Sequence, residues 1–317
     1  FREFTPQVQP ISIDEAFLDV SGSLRLFGGK RALARRLQQR IEEETGLTAS
    51  LGVAPNKLVA KIASDLEKPR GLVIVEPDEV EELLRPLPVK VLPGVGPKTQ
   101  ESLSRLGITE IADLADYPKE QLQARFGEHG ESLWRKAHAI DDSPVTTGGE
   151  AKSIGHEHTF GVDTDDWPEV RATLMWLCEK TARRLRKAEK VGFTVTTKIR
   201  FEDFTTLTRQ QTLERPVREA TEIYAAAVQN LQEGYESGRK LRLVGVTISG
   251  LIGRSEWRPA GQQMSLFEGV TPEAPNDIHR RIARAEDAVK DRFGEDALRR
   301  GASYSPHRHA ENAGEEG

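Results

Sequence analysis

The sequence has a single cysteine, no long apolar run and no excess of positive charge. The lone thiol, Cys178, excludes an internal disulfide and a cysteine-based metal site. No stretch of about 18 apolar residues is present, so we expect no membrane span. The opening residues also lack the basic-then-apolar pattern of a signal peptide. These absences favour a protein of a reduced, cytoplasmic compartment.

The overall charge is slightly negative. The 317 residues include 45 lysines and arginines and 50 aspartates and glutamates, which gives a net charge of −5. Nucleic-acid-binding domains usually carry a basic excess, so this total argues against such a partner. Its distribution is uneven, however. Residues 180–218 contain eleven lysines and arginines and only four acidic residues, so this stretch carries +7 and the remainder carries −12.

Hydrophobic residues (37%) and charged residues (30%) occur in the proportions of a globular protein, and the length predicts about two domains. The pattern of strands, helices and turns predicts an α+β, multidomain chain. A β-sheet region with helices covers 1–76, an all-helical module 77–140, a polar linker 141–151, a second mixed domain 152–255 and a tail with one helix 256–317. The second mixed domain has the β-α-β-β-α-β order of the split β-α-β type.

A carboxylate pair lies in an apolar stretch near the start. VQPISIDEAFLDV (8–20) predicts one strand with Asp14 and Glu15 at its centre. Burial of two carboxylates is costly without a compensating cation, and Mg²⁺ takes oxygen ligands and often shares them with substrate phosphates. The alternative is a half-exposed strand with solvated carboxylates, because adjacent strand residues point to opposite faces.

Three lysines follow in GVAPNKLVAKIASDLEKPRG (52–71), which predicts a strand, a turn and a helix. Lys57 and Lys61 share a helical face because they are four residues apart, and Lys68 lies just beyond the helix. A cation at this position is suited to the phosphates of a nucleotide whose metal ions lie at the carboxylates. The alternative is a solvated amphipathic helix.

Together, SIDEAFLDV (12–20) and the lysine segment resemble the palm of Y-family translesion DNA polymerases, of the DNA polymerase IV type. The resemblance continues to about residue 300. It implies a DNA-directed DNA polymerase that adds dNTPs to the primer 3′-OH of primer-template DNA during damage bypass and repair, with two Mg²⁺ ions. It also implies that Asp14 and Glu15 are the catalytic metal ligands and that Lys68 contacts the triphosphate.

In that family, several tens of residues precede the carboxylate motif. They include the first metal-binding carboxylate, the residue that excludes ribonucleotides and most of the fingers. Here the chain starts at Phe1, and the only acidic residue before Asp14 is Glu3. We therefore expect a fragment with a partial palm that is not active by itself.

The helical module contains VKVLPGVGPKTQESLSRLGI (89–108), which predicts two helices joined by a glycine turn. The second helix should start near Pro97, a favoured first helical residue, with its N–H groups directed at a phosphate. The pattern resembles the helix-hairpin-helix of DNA-backbone binders and implies a thumb. The alternative is a hairpin that only packs. The implied contacts are Gly94, Val95, Gly96 and Lys98.

The second mixed domain resembles the little finger of the same family, through KSIGHEHTF (152–160) and VTTKIRFEDFTTLTRQQTL (195–213). Strand alternation separates Lys198 and Arg200 from Ile199 and Phe201. The resemblance implies sequence-tolerant, salt-sensitive contacts with the DNA backbone. For part of 183–190 the alternative is a solvated charged helix. The implied contacts are Lys152, Ser153, Lys198, Arg200 and Arg209.

An apolar pentapeptide lies in the tail, within AGQQMSLFEGVTPEAP. It resembles the peptide by which bacterial polymerases bind the sliding clamp, the beta subunit, and the alternative is a plug on the protein's own surface. We expect the chain to be a monomer. The implied clamp-binding residues are Gln263, Met264, Ser265, Leu266 and Phe267.

Two other functions compete with the polymerase. The first is a catalytically inactive, polymerase-like accessory protein that binds DNA and the clamp, which the presence of Asp14 and Glu15 disfavours. The second is a helix-hairpin-helix nuclease or repair protein, which the little-finger resemblance disfavours.

Overall fold

The computed structural model describes residues 1–257, 276–295, 297–298 and 301–303. The chain divides into two units, Phe1–Gly149 and Glu150–Gly317. None of the helices in the described ranges is both long and apolar enough to cross a membrane.

The first unit starts with a short hairpin. Strand β1 (Val8–Pro10) pairs antiparallel with β2 (Ala16–Leu18), and residues 11–15 connect them. The prediction of one strand over 8–20 is therefore wrong, because Asp14 and Glu15 lie in the connection. Ser12 and Asp14 form local hydrogen bonds that favour a turn, a signal that apolar alternation does not contain.

A β-α-β unit follows helix α1 (Lys30–Thr45). Strands β3 (Leu51–Val53) and β4 (Leu72–Ile74) are parallel, and α2 (Lys57–Leu66) connects them. Gly52 allows α2 to pack directly on β3, since a Cβ at this residue would lie 2.1 Å from the Ala60 carbonyl oxygen. The lysine helix is thereby held at a fixed distance from the sheet.

Short helices complete the first unit, and they share a leucine-rich core with α2. The helical module predicted over 77–140 contains α3 (Val80–Leu84), α4 (Pro97–Ser104), α5 (Ile111–Asp116), α6 (Lys119–Phe126) and α7 (Glu128–Ala137). Asp141, at the start of the predicted linker, accepts a hydrogen bond from the Leu58 N–H (3.0 Å). This hydrogen bond connects the segment that follows α7 to the start of α2.

The second unit has the predicted β-α-β-β-α-β order, followed by one more helix. Its elements are β5 (Ser153–Thr164), α8 (Trp167–Lys187), β6 (Lys190–Phe201), β7 (Thr206–Val217), α9 (Ala220–Gly234), β8 (Leu241–Gly253) and α10 (Asn276–Phe293). The sheet order is β5-β8-β6-β7, with all neighbours antiparallel. Because β8 separates β5 from β6, and β6 separates β7 from β8, both helical crossovers are split β-α-β units.

The sheet of the second unit has two chemically different faces. One face packs on α8 and α9 and contains buried Ile199 and Phe201. The opposite face, named the open face here, contains Lys198 and Arg200. The predicted separation of these two pairs by strand alternation is confirmed.

Candidate active site and nucleic-acid interface

The connection between β1 and β2 exposes the carboxylate of Asp14 to solvent. The Ser12 hydroxyl donates to Asp14 Oδ1 (2.6 Å), and the Asp14 N–H donates back to Ser12 Oγ (3.4 Å). The Ser12 hydrogen bond is the main cause that lowers the pKa of Asp14, and the charges of Lys68 and Lys61 act in the same direction. Asp14 is exposed, so the argument that burial makes a compensating cation necessary does not hold.

Glu15 is the first of four side chains of alternating charge that contact one another along α2. Its Oε1 accepts a hydrogen bond from Lys61 Nζ (2.9 Å), and the same ammonium contacts Asp65 Oδ2 (3.1 Å). The other oxygen of Asp65 contacts Lys68 Nζ (2.5 Å). The structure therefore brings together the predicted residues Asp14, Glu15, Lys61 and Lys68.

Two participants were not predicted, Ser12 and Asp65. Asp65 could have been found from its spacing to Lys61 and Lys68, since residues three and four apart are neighbours on a helix. Ser12 could have been found from its position two residues before Asp14, a spacing typical of a hydroxyl turn. Lys57 has a different environment, because it donates to Gln9 Oε1 (3.2 Å) and to the Pro144 carbonyl (2.9 Å).

The donor set fits a hard metal ion in a shared site. Asp14 and Glu15 offer carboxylate oxygens, the ligands that Mg²⁺ prefers, and Mg²⁺ commonly takes one or two carboxylates together with waters and substrate phosphates. In the ranges that the structure describes, no group of three or more His, Cys, Asp or Glu is arranged to hold an ion. The two carboxylates therefore suit an ion whose coordination the substrate completes.

The glycine turn before α4 has the predicted helix start. Gly94 has φ +93°, and α4 begins at Pro97 with Gly96 as its N-cap. A 3₁₀ turn, Val89–Val91, precedes the loop in place of the first predicted α-helix. Lys98 is exposed.

Val95 differs from its neighbours in this loop. Its side chain is buried, and its N–H donates to the Leu92 carbonyl (3.0 Å). Of the implied contacts, Gly94, Gly96 and Lys98 are thus at the surface, whereas the Val95 side chain packs in the core.

The open face is rich in hydroxyl groups and contains the cations Lys198 and Arg200. Strand pairing places Lys198 beside Thr208, and Arg200 beside Thr206. Lys198 Nζ contacts Glu157 Oε2 (2.8 Å), and Arg200 Nε donates to Thr206 Oγ1 (2.9 Å). The other hydroxyl-bearing residues whose register places them on this face are Ser153, Thr159, Thr194, Thr196, Thr212, Thr247 and Ser249.

The remaining implied DNA contacts divide between the two faces. Ser153 is exposed on the open face, next to exposed Lys152. Arg209, by contrast, pairs with Thr197, which is buried against α9 and donates to the Ala227 carbonyl (3.1 Å). The structure thus places Arg209 on the opposite face from Lys198 and Arg200.

Helix α8 carries basic residues that α10 covers. Arg186 makes two hydrogen bonds to Asp287 (2.6 and 2.8 Å), and Arg183 contacts Asp291 (2.8 Å) and Glu295 (3.1 Å). The Arg183 and Arg186 side chains are only 6% and 10% exposed. Part of the +7 charge is therefore neutralised within the second unit. The clamp-like peptide, residues 263–267, lies outside the described residues.

Three family descriptions match the chain. Residues 1–65 match the impB/mucB/samB family, residues 90–141 the thumb domain of DNA polymerase-iota, and residues 151–266 the impB/mucB/samB family C-terminal domain. These matches cover both units.

Curated relatives agree with these matches. The chain is 43% identical over 295 residues to DNA polymerase IV of Desulfatibacillum aliphaticivorans. The matched residues make up 93% of this chain and 72% of the relative. It is 41% identical over 307 residues to DNA polymerase IV of Moorella thermoacetica, which covers 96% of this chain and 74% of the relative.

Solved structures give the same result. A Y-family DNA polymerase chimera of Dbh and Dpo4 is similar with a TM-score of 0.67 and 26% identity, over 80% of this chain and 73% of that one. An insertion ternary complex of Dbh DNA polymerase has a TM-score of 0.54 and 25% identity, over 80% and 73%. None of these relatives supports the alternative function of a catalytically inactive accessory protein. The chain therefore belongs to the Y family of translesion DNA polymerases, the family of the enzymes named DNA polymerase IV.

Proposed function

We propose that the connection between β1 and β2 is the catalytic centre of metal-dependent nucleotidyl transfer, with Asp14 and Glu15 as ligands of two Mg²⁺ ions. When bound, such ions stabilise the attacking primer oxygen and the leaving oxygen of the dNTP. The observation that carries this proposal is a carboxylate pair, exposed Asp14 and half-buried Glu15, close to Lys61 and Lys68. The Ser12 hydrogen bond lowers the pKa of Asp14, and Glu15 accepts a hydrogen bond from Lys61.

Lys68 is proposed to offset the charge of the triphosphate. Its ammonium already contributes to lowering the pKa of Asp14, so an anion that binds at the carboxylates through a metal ion also meets this cation. A lysine acts as a point charge toward phosphate and needs no fixed hydrogen-bond geometry. This matches a side chain that is 56% exposed at the end of a helix.

We propose primer-template DNA and a dNTP as the substrates, because a similar solved structure is an insertion ternary complex of a DNA polymerase. The open face, through Lys198, Arg200 and Ser153 together with Lys152, contacts phosphates of the DNA. The turn at 94–98 supplies the backbone N–H groups of Gly94 and Gly96 and the Lys98 side chain. These contacts are sequence-independent, since phosphates carry no base information.

Primer extension by the full-length polypeptide that contains this chain tests the catalytic centre. We expect Asp14→Asn or Glu15→Gln to reduce extension by roughly 100-fold or more, since even outer-shell partners of metal ligands cost 10- to 100-fold. The matched control is Asp19→Asn on the same hairpin, whose carboxylate accepts from the Ser21 N–H (3.0 Å). Wild-type extension by the Asp14 and Glu15 variants would refute the assignment.

We further propose that residues 263–267 bind the sliding clamp and that the chain acts as a monomer in the cytoplasm. The support is the apolar Met264, Leu266 and Phe267 within a polar stretch. Leu266→Ala with Phe267→Ala should abolish clamp binding and spare distributive synthesis. Unchanged clamp binding would contradict the peptide's role, and sedimentation at a multiple of 35.3 kDa would contradict the monomer.

A further inference from the structure

Asp65 joins the two functional lysines of the first unit. Its two oxygens are used separately, Oδ2 by Lys61 (3.1 Å) and Oδ1 by Lys68 (2.5 Å). Lys61 in turn contacts Glu15 (2.9 Å). One carboxylate thus connects a proposed metal ligand, through Lys61, with the proposed triphosphate lysine.

The spacing of the three residues explains why one carboxylate reaches both cations. Lys61 lies one helical turn before Asp65, and Lys68 lies three residues after it, just beyond the end of α2. Side chains three and four residues apart are neighbours on a helix. The packing of α2 on β3 through Gly52 fixes the helix, so Asp65 has a fixed place relative to both lysines.

The protonation states agree with this arrangement. Partial burial opposes the charges of Lys61 and Asp65, yet the hydrogen bonds between them and with Glu15 and Lys68 prevail. They raise the pKa of Lys61 and lower the pKa of Asp65. Both shifts favour the charged forms of Lys61 and Asp65.

We propose that Asp65 is a positioning residue for nucleotide binding, an inference that rests on the proposed function. It holds the Lys68 ammonium beside the carboxylates before the nucleotide arrives, and it holds Lys61 against Glu15. A free lysine side chain has to lose much of its rotamer freedom when it binds an anion. Because Asp65 restricts Lys68 beforehand, less of that entropy is lost on binding.

The test is steady-state kinetics of the full-length polypeptide with Asp65→Asn, which keeps the shape and removes the charge. We expect the KM for dNTP to rise about tenfold, the effect of weakening one charge-assisted contact, and kcat to stay within about twofold. Equilibrium binding of a non-hydrolysable dNTP analogue to the protein–DNA complex should weaken by the same factor.

Two further variants separate positioning from a general structural role. Asp65→Glu keeps the charge and should restore the KM to within about threefold of wild type. Glu67→Gln removes a carboxylate from the exposed C-cap of the same helix and should leave the KM unchanged. Neither should alter the thermal unfolding temperature by more than about 2 °C, since these are surface positions.

Several outcomes would overturn the inference. An Asp65→Asn variant with an unchanged KM would show that nucleotide binding does not depend on the contact between Asp65 and Lys68. A lower KM would show that Asp65 competes with the nucleotide for Lys68. Loss of kcat at constant KM would also contradict it. If Asp14→Asn and Glu15→Gln are inactive while Asp65→Asn behaves as wild type, only this inference fails; if the Asp14 and Glu15 variants extend normally, the proposed function itself fails.

Discussion

Two basic surfaces of the second unit come from the same positive stretch of sequence and have opposite surroundings. On α8, the guanidinium groups of Arg183 and Arg186 are nearly inaccessible and face carboxylates of α10. On the open face, Lys198 is one-third exposed and Arg200 lies among threonine hydroxyls. Both surfaces are basic in the sequence, but Arg183 and Arg186 are much less accessible to an external phosphate than Lys198.

The difference shows that a count of positive charge does not measure the charge available to a ligand. The acidic residues that neutralise α8 lie about 100 positions further along the chain, so no local window includes them. An ion pair with little exposure is costly to separate. A ligand phosphate would therefore have to displace carboxylates that are already in place.

The largest expected effect concerns the contact between α8 and α10. Asp287→Ala leaves Arg186 with little exposure and without its shortest ion pair, although Glu219 remains at 3.6 Å. We expect the local stability of α10 to fall by about 2–3 kcal/mol, measured as loss of amide hydrogen-exchange protection in α8 and α10. Asp291→Ala is the matched control. Because Asp291 is 56% exposed and Glu295 still contacts Arg183 at 3.1 Å, this change should cost less than about 1 kcal/mol. Equal protection in wild type and Asp287→Ala would show that α8 is not covered in this way.

The second effect concerns the open face. Lys198→Ala with Arg200→Ala should weaken binding to primer-template DNA about tenfold at low salt and reduce the salt-dependence slope by about 2. The control, Lys180→Ala with Lys187→Ala, removes the same charge from α8 and should change the affinity less than about twofold. Titrations at several salt concentrations provide the measurement. Equal losses in both double variants would remove the distinction between the two surfaces.

A smaller effect should follow from uncovering α8. Neutralising the acidic residues of the contact exposes new cations, so DNA affinity should rise about threefold with a steeper salt slope. The variant is Asp287→Asn with Asp291→Asn and Glu295→Gln. A control with the same change in net charge at other positions of the unit should raise the affinity less. That control is Glu222→Gln with Glu233→Gln and Glu236→Gln. Equal gains would mean that total charge, and not the uncovering of α8, determines the result.

The smallest expected effect is a change in the pKa of His156, which depends on the charges near α8. Burial, followed by the charges of Arg184 and Lys180, lowers the pKa of His156 to about 4, while Glu295 opposes the shift. Glu295→Gln should therefore lower this pKa further, as measured by NMR of the imidazole. An unchanged pKa would place Glu295 away from His156.

The same histidine predicts a dependence of stability on pH. Its folded pKa lies below the ordinary value of 6.5, so the folded state favours the neutral ring. The associated stability is complete above about pH 6.5 and is lost as the pH falls toward 4. His156→Gln should remove this part of the pH dependence of unfolding.

Much of the second unit could be predicted from its sequence because its elements are long and strongly periodic. Alternation along β6 separates Ile199 from Lys198, and the observed register confirms it. The side on which Arg209 lies could not be predicted, because it depends on how β7 pairs with β6, and a shift of one residue would reverse the face.

The residues that come together at the candidate site were predicted, but the local structure predicted for the two carboxylates was wrong. The residues Asp14, Glu15, Lys61 and Lys68 come together, but the carboxylates lie in a turn and not within a strand. Apolar residues on both sides of a turn in a short hairpin resemble one continuous strand when only periodicity is considered. Ile13 is fully exposed in that turn, which a buried strand would not allow.

The sequence by itself determined the order of the elements, the two faces of β6 and the residue types that can perform the chemistry, because these depend on periodicity and on the chemical nature of each side chain. Only the tertiary structure decided which charges remain available. Lys61 contacts Glu15, which lies 46 positions earlier in the chain, whereas Asp287 and Asp291 pair with Arg186 and Arg183 of α8. The reason is physical: the strength of an ion pair depends on distance and on exclusion of water, and both are set by packing between segments that are far apart in the chain.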